Sequence, residues 1–171
     1  PGIVHRLDKD TSGCLAVART PEAQAKLCQA FADRDTRKTY LAITAGVPRE
    51  PRGRIENLIG RHPVNRQKMA VVERNGKTAI TSYTLLGSGA IGSVQFSLLA
   101  VKIATGRTHQ IRVQFASRGL SLCGDRRYGA PAESGKSLAL CSTELGFTHP
   151  KTGEKMEFTH EPPHIFPWTV V

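Results

Sequence analysis

Short apolar segments are the feature of this sequence that most limits its fold. The longest uninterrupted apolar runs are only a few residues, whereas a membrane-spanning helix needs about 20. Most of these runs alternate with polar residues or end at Gly, Pro or Asn, as β-strands do. Because hydrophobic residues still make up 39% of the 171 residues, the chain can bury a core. The sequence therefore predicts a strand-rich α+β domain with two helices.

Two segments carry the signals of helices. Thr20 stands directly before Pro21, the order typical of a capped helix start, and this helix is expected to end near Asp33. The apolar stripe of this helix is expected to contain Ala25, Leu27, Ala30 and Phe31. The second helical pattern runs from Arg107 to Arg118, and Gly119 can cap its C-terminal end.

The remaining apolar segments have the length and pattern of strands. In chain order, the predicted strands are Cys14–Ala18, Lys38–Gly46, Met69–Glu73, Thr78–Leu86, Ser93–Ile103, Ser137–Thr143 and Lys155–Thr159. Thr78–Leu86 and Ser93–Ile103 are expected to form a hairpin around the segment Gly87–Gly92. Residues 48–66, which are rich in Pro, Gly, Arg and Asn, carry no predicted strand and include a basic loop or hairpin at 60–66. The end of the chain, Pro162–Val171, is expected to run over the surface.

Charge and cysteine usage restrict the class of partner. The chain has 24 Lys and Arg against 14 Asp and Glu, a net charge of +10. Such a surplus favours a polyanionic partner, above all nucleic acid, although a merely basic protein would have the same composition.

None of the four cysteines lies in a C-x-x-C pair or at a zinc spacing with histidine, which predicts a reducing compartment and no structural metal. Cys14 and Cys141 lie in apolar runs and are expected to be buried.

The densest polar segment is His5–Gly13, where one His, one Arg, one Lys and two Asp surround a single Leu. Asp10 is followed by Thr, Ser and Gly, which is favourable turn chemistry. Asp8 lies between Arg6 and Lys9, and nearby cations keep a carboxylate ionised. An ionised carboxylate can act as nucleophile or base at a sugar or pyrimidine carbon. The alternative is that Asp8 only pairs with Arg6 or Lys9 in a turn.

Two further segments combine cations with groups that can bind a base or a carboxylate. Tyr40, on a predicted strand with Lys38 nearby, can stack on a base while the cation contacts phosphate; alternatively, Tyr40 packs within the sheet. Arg107 and Arg112 lie about 140° apart on a helix, so they do not share a face. One of them can therefore hold Asp8 charged and oriented, although both could lie on a basic helix surface.

Together, four motifs in this order resemble the RluA-type pseudouridine synthases. These motifs are His5–Gly13, Lys38–Tyr40, Thr105–Arg112 and Gly124–Gly129. The resemblance extends from Pro1 to about Pro163 and implies a mixed, largely antiparallel central sheet flanked by a few helices. It also implies one catalytic domain over residues 1–171, no cofactor and no metal. The segment Gly60–Pro63, followed by Lys68–Val71, is similar to members that modify ribosomal RNA.

By the same resemblance, Asp8 is the catalytic carboxylate, Arg112 pairs with it, and Tyr40 stacks on the target base. The Tyr in the family has also been proposed to remove the C5 proton. The carboxylate would attack C1′, remove the 2′ proton or attack C6. Arg6 is expected to help extrude the nucleotide and Ile111 to pack against the base pocket. The complete set of expected substrate-binding residues is His5, Arg6, Lys38, Arg107, His109 and Ile111.

The resemblance implies an RNA pseudouridine synthase that isomerises specific uridines in structured RNA, with ribosomal RNA favoured over transfer RNA. We expect a monomer without a membrane partner, located in the cytoplasm or, in a eukaryote, in an organelle. One alternative is an RNA-binding protein with the same fold and no activity. Another, a glycoside hydrolase that uses Asp8 and Asp10, is disfavoured because residues two apart in a turn seldom straddle a substrate. The family's upstream Lys-Pro-x-Gly segment and its S4-like RNA-binding domain have no match, which predicts that the chain is a fragment.

Overall fold

The computed structural model of the chain describes residues 2–131, 137–164 and 168. Its elements, in chain order, are β1 (Gly2–Ile3), β2 (Ser12–Gly13), β3 (Val17–Ala18), α1 (Pro21–Ala32), β4 (Thr36–Ala45), β5 (Arg52–Arg61), β6 (Met69–Val72), β7 (Lys77–Ile91), β8 (Val94–Ile103), α2 (Gln110–Ala116), β9 (Leu140–Thr148) and β10 (Lys155–Thr159). Neither described helix is long and apolar enough to cross a membrane.

One mixed sheet of eight strands forms the frame of the molecule. Its order is β10-β9-β4-β8-β7-β5-β6, with β2 added in parallel to β9. All the other neighbours in this sheet are antiparallel. A separate two-stranded sheet joins β1 and β3. The prediction of an α+β fold with a mixed, largely antiparallel sheet and two helices is therefore confirmed.

Helix α2 packs on one face of the sheet and forms the main core with it. Ile111 and Phe115 of α2 belong to the same buried cluster as Leu99 and Val101 of β8. Two buried glutamines anchor the helix as well, because the Gln110 amide donates to the Ile80 carbonyl and the Gln114 amide donates to the Ala79 carbonyl. Since β7 provides both carbonyls, α2 is held against β7 by hydrogen bonds as well as by apolar contact.

Several strand predictions are wrong in extent. The predicted buried strand Cys14–Ala18 is only β3, and its Leu15 and Val17 are 45% and 57% exposed. The segment 48–66 contains the full strand β5, which the sequence prediction left out, because its Ile residues are buried while Arg and Glu alternate outward. The hairpin of β7 and β8 turns only after Ile91, so Gly87 lies within β7 beside a bulge.

The start of α1 was predicted correctly, whereas part of its apolar stripe and the start of α2 were not. The Thr20 hydroxyl accepts a hydrogen bond from the Ala23 N–H at 3.2 Å, as expected of a cap. Ala25 is exposed, so its place in the apolar stripe was predicted wrongly. The second helix begins at Gln110, three residues later than predicted, and Arg107 precedes it.

Cys141 is buried as predicted, but Cys14 is only partly buried. In the terminal segment Pro162–Val171, which was expected to cover the surface, residues 165–167 and 169–171 lie outside the described residues.

Candidate active site

The segment that carries Asp8 is fixed to the sheet by its closing glycine. Gly13 has φ 109°, and a Cβ at this position would overlap the backbone of Ser142 in β9. The absence of a side chain therefore lets β2 lie directly against β9. At the other end of the segment, the Thr11 N–H donates to the Asp8 carbonyl at 3.0 Å and closes a turn that contains Asp10 at φ 71°. These two restraints define where Asp8 can lie.

Strand β9 also brings Tyr40 to the same place. Ser142 is the register partner of Tyr40 in β4, while β2 pairs with β9 at Cys141 and Ser142. Tyr40 is only 7% exposed. Burial raises the pKa of its phenol to about 12, a hydrogen bond with Ser142 opposes this rise, and the charge of Asp8 adds to it. The Tyr40 hydroxyl is therefore protonated near neutral pH.

Arg112 lies between two carboxylates and binds them unequally. Its Nε and Nη2 donate to the two carboxylate oxygens of Asp125 at 2.7 and 2.8 Å, whereas its Nη1 lies 3.6 Å from Oδ2 of Asp8. The side chain of Asp125 is fully buried, and that of Asp8 is 15% exposed. Burial alone would lower the pKa of Arg112, but the hydrogen bonds and charge of Asp125 outweigh it and raise the pKa. Asp125 thus fixes the guanidinium, and Asp8 keeps a looser ion pair with it.

Tyr128 covers the other side of this guanidinium. Its ring centroid lies 5.1 Å from Cζ of Arg112, within the range of a cation–π contact. The Tyr128 hydroxyl accepts a hydrogen bond from the Met69 N–H at 3.1 Å and lies 2.7 Å from Nδ1 of His109. His109 has a positive φ of 55° directly before α2, and burial lowers its pKa. Tyr128 thus connects strand β6 with the residues around Arg112.

A cleft of about 310 Å³ opens in front of Asp8. The expected site residues that line it are His5, Arg6, Asp8, Lys38, Tyr40, Arg107 and Ile111. Arg112 and His109 are not part of the lining, since they lie behind it and contact Asp8 and Tyr128 respectively. The structure therefore brings the nine predicted residues into one region. Seven of them lie in the wall of the cleft, and Arg112 and His109 lie behind it.

Some lining residues are already engaged by the protein itself. His5 accepts the Ala16 N–H at Nε2 and stacks on Phe31 with ring centroids 4.3 Å apart; burial lowers its pKa to about 4. Lys38 lies over the same Phe31 ring, and burial lowers its pKa as well. Arg107 donates from Nε to the Thr78 carbonyl at 2.9 Å. Arg6 is exposed at the cleft.

The sequence prediction assigned no role to Asp125 or Tyr128, although it quoted the segment Gly124–Gly129. The signal available was an Asp next to glycine in a basic chain, which is compatible with an ordinary turn. Gly124, at φ 72°, does close such a turn, and a Cβ there would overlap the Ser137 backbone. Asp10, the second carboxylate of the hydrolase alternative, is exposed and does not line the cleft. Within the described residues, no group of three His, Cys, Asp or Glu side chains could hold a metal ion.

The sequence of the chain is similar to those of known proteins. The sequence pattern of the RNA pseudouridylate synthase family matches residues 1–117. An uncharacterized RNA pseudouridine synthase of Aquifex aeolicus is 42% identical over 175 residues, covering 97% of this chain and 54% of the relative. The ribosomal large subunit pseudouridine synthase D of Zymomonas mobilis is 42% identical over 173 residues, covering 95% and 53%. The chain thus spans about half the length of these curated relatives.

Solved structures show the same likeness in three dimensions. Human RNA pseudouridylate synthase domain containing 1 superimposes with a TM-score of 0.83 at 29% identity, covering 96% of this chain and 70% of that one. Human RNA pseudouridylate synthase domain containing 4 superimposes with a TM-score of 0.75 at 23% identity, which shows the shared fold alone.

Proposed function

The chain belongs to the RNA pseudouridylate synthase family, as an RluA-type member, and on this premise we propose that its protein isomerises specific uridines in structured RNA to pseudouridine. The observation that carries the proposal is the Asp8 carboxylate, which lines the cleft 3.6 Å from the buried Arg112. A carboxylate held beside a cation is oriented by that contact, as a nucleophile or base requires.

The reaction needs no oxidant or reductant. The bond between C1′ and N1 of the uridine breaks, the base turns, and a bond forms between C1′ and C5. The proton on C5 is released, and N1 takes one up, so atoms and electrons balance. In this proposal Asp8 carries out the first step, and Arg112, fixed by Asp125, directs the carboxylate into the cleft.

The base would lie against Tyr40 and Ile111 in the cleft. Stacking of a base on an aromatic ring contributes about 1–3 kcal/mol, which can offset a similar energy for extruding the nucleotide. Because burial raises the pKa of Tyr40 to about 12, the phenol is a poor proton acceptor near neutral pH. The stacking role is therefore better supported than removal of the C5 proton. Arg6, exposed at the cleft, would fill the space that the extruded nucleotide leaves.

The RNA substrate is proposed to be ribosomal. The relative from Zymomonas mobilis carries the name of a ribosomal large subunit synthase, and the net charge of +10 suits a large polyanion. A cytoplasmic location, or in a eukaryote an organelle, is part of the same proposal. That the protein acts as a monomer and without a cofactor stays a prediction, as does the single catalytic domain over residues 1–171.

The test compares Asp8→Asn with its neighbour Asp10→Asn in the full-length protein that contains this chain. We expect the unmodified protein to release tritium from C5-labelled uridine in large-subunit ribosomal RNA more readily than in bulk transfer RNA. Asp8→Asn should reduce release by about 10⁴-fold or more while RNA binding persists. Asp10→Asn, at an exposed turn position that tolerates Asn, should retain activity.

Two results would contradict the proposal in different ways. Tritium release that survives in Asp8→Asn would remove Asp8 from the mechanism. Full-length protein that binds RNA tightly but never releases tritium from either RNA would favour an RNA-binding protein with this fold and no activity.

A further inference from the structure

A second groove adjoins the cleft beside the end of β8. Its volume is about 480 Å³, and it shares four lining residues with the cleft, namely Arg34, Lys38, Ile103 and Ala104. Because Ile103 ends β8 and Ala104 follows it, the two depressions meet at the end of this strand. We call it the outer groove, and its further lining comes from β4, β5, β7, β8, β9 and β10.

The outer groove is strongly basic. Its cations are Arg34, Arg37, Lys38, Arg54, Lys102 and Lys155, against the two acidic residues Asp35 and Glu157. Arg37 pairs with Glu157, and Arg54 pairs with Glu56. Within the described part of the chain, Arg34, Lys102 and Lys155 form no ion pair, so their charges are available to a ligand.

The sheet register places several of these cations on the face opposite the core. Lys102 of β8 is the register partner of Ser82 in β7, which in turn is the partner of Arg54 in β5. Direct partners share one face of a sheet, about 5 Å apart from strand to strand. The adjacent row, which includes Tyr83 and Val101, packs on the α2 side. The Lys102–Arg54 row therefore follows the outer face, about 10 Å from end to end.

We propose that the outer groove binds the single-stranded RNA flank that continues from the uridine in the cleft. This inference rests on the proposed function, since the cleft defines where the RNA begins. A strand that leaves the cleft meets Arg34 first, turns over the end of β8 and then reaches Lys102 and Arg54. A stiff duplex cannot make such a turn within a few nucleotides, whereas a flexible single strand can. The cations of Arg34 and Lys102, which form no ion pair in the described part of the chain, match its phosphates.

The experiment measures RNA binding by the full-length protein with two fluorescein-labelled single-stranded RNAs of mixed sequence. One has about 20 nucleotides and can reach the outer groove; the other has about four and fills only the cleft. We expect Lys102→Gln and Arg34→Gln each to weaken binding of the long RNA several-fold. Each should also reduce the slope of log affinity against log salt by about 0.7, the value for one lost phosphate contact on a single strand.

Two comparisons separate this effect from a general loss of charge. Arg49→Gln removes an exposed cation beyond the opposite end of β4, so the long RNA should bind this control as it binds the unmodified protein. Binding of the short RNA should not change in Lys102→Gln. With saturating ribosomal RNA, tritium release by Lys102→Gln should keep its maximal rate and need more RNA to reach half of it.

Unchanged affinity and salt slope in Lys102→Gln and Arg34→Gln would overturn the proposal, and the groove would then be left to another occupant, such as the rest of the full-length chain. An equal loss in Arg49→Gln would also overturn it, because the effect would then reflect net charge. Failure of the proposed function looks different: the unmodified protein would release no tritium, whatever the variants bind.

Discussion

Two arginine–carboxylate pairs in this protein have the same chemistry and opposite environments. In the pair behind the cleft, the side chains of Arg112 and Asp125 are 9% and 0% exposed. In the pair at the outer groove, the side chains of Arg37 and Glu157 are 56% and 62% exposed. Water screens the second pair and is excluded from the first. The first pair can therefore fix the position of one atom, and the second only adds to the charge of a surface.

The difference explains how a basic chain can have one accurately placed cation. A buried charge without a partner is strongly unfavourable, so Arg112 keeps Asp125 as a permanent partner. With two of its nitrogens engaged there, the guanidinium has only Nη1 left to approach Asp8. Exposed arginines lose little when their partner moves away and can exchange a carboxylate for a phosphate.

The largest expected effect is on the buried pair. Asp125→Asn leaves Arg112 with its main countercharge removed, and we expect the free energy of unfolding to fall by about 3–5 kcal/mol. Arg112→Met should have a similar effect, because it leaves the carboxylate of Asp125 buried without the guanidinium that donates hydrogen bonds to it. The double variant removes both charges and should recover most of the lost stability. Urea unfolding of the full-length protein monitored by circular dichroism measures all three.

Measuring activity in the same variants distinguishes a positioning role of Asp125 from its role in stability. If Asp125 acts through Arg112, the maximal rate of tritium release in the double variant should be no lower than in Arg112→Met alone, even though its stability is restored. RNA concentration at half-maximal rate should change little, since neither side chain lines the cleft. Losses that multiply in the double variant would show that Asp125 contributes independently of Arg112.

The contrast also explains what the sequence could predict. Asp8, Tyr40 and their cleft follow from motifs whose residues are adjacent along the chain. The Arg112–Asp125 pair joins residues 13 positions apart, and only the fold brings them together. Strand β5 was overlooked because one face of its sheet is open to solvent. Arg and Glu can therefore occupy alternate positions without disrupting the strand, and they hide the buried row that contains Ile55 and Ile59.

The extent of β3 was misjudged for a related reason. Leu15 and Val17 form an apolar run that resembles a core strand, yet both are exposed in this chain. An apolar run shows that a segment can be buried, but the surface that would cover it must be supplied elsewhere in the fold. Conversely, Gly87 was expected in a turn and lies inside β7, because a bulge accommodates it within the strand.

The half-buried side chain of His5 should have an intermediate effect on the free energy of unfolding. Its pKa in the folded protein is about 4, against an ordinary value of 6.5, because burial disfavours the charged ring. The unfolded chain therefore binds the proton first, so the contribution of His5 to stability is complete above pH 6.5 and is lost as the pH falls towards 4. After allowance for solvent screening, we expect a loss on the order of 1 kcal/mol between about pH 7 and 5.

The measurement compares urea unfolding of the unmodified protein and His5→Gln at these two pH values. The glutamine carbonyl can replace Nε2 as acceptor for the Ala16 N–H but does not titrate. The unmodified protein should lose more stability on acidification than the variant does. An equal loss in both would mean that another group, such as His109, whose pKa burial also lowers, accounts for the pH dependence.

The smallest expected effect is on the exposed pair, and it tests the comparison most directly. Arg37→Gln and Glu157→Gln should each change the free energy of unfolding by no more than about 1 kcal/mol. Their coupling in a double-mutant cycle should shrink as salt is raised, because mobile ions reach both side chains. The coupling of Arg112 with Asp125 should persist at the same salt, since the guanidinium and carboxylate are buried. If the exposed pair proved as strongly coupled and as salt-resistant as the buried one, burial would not be what separates the two.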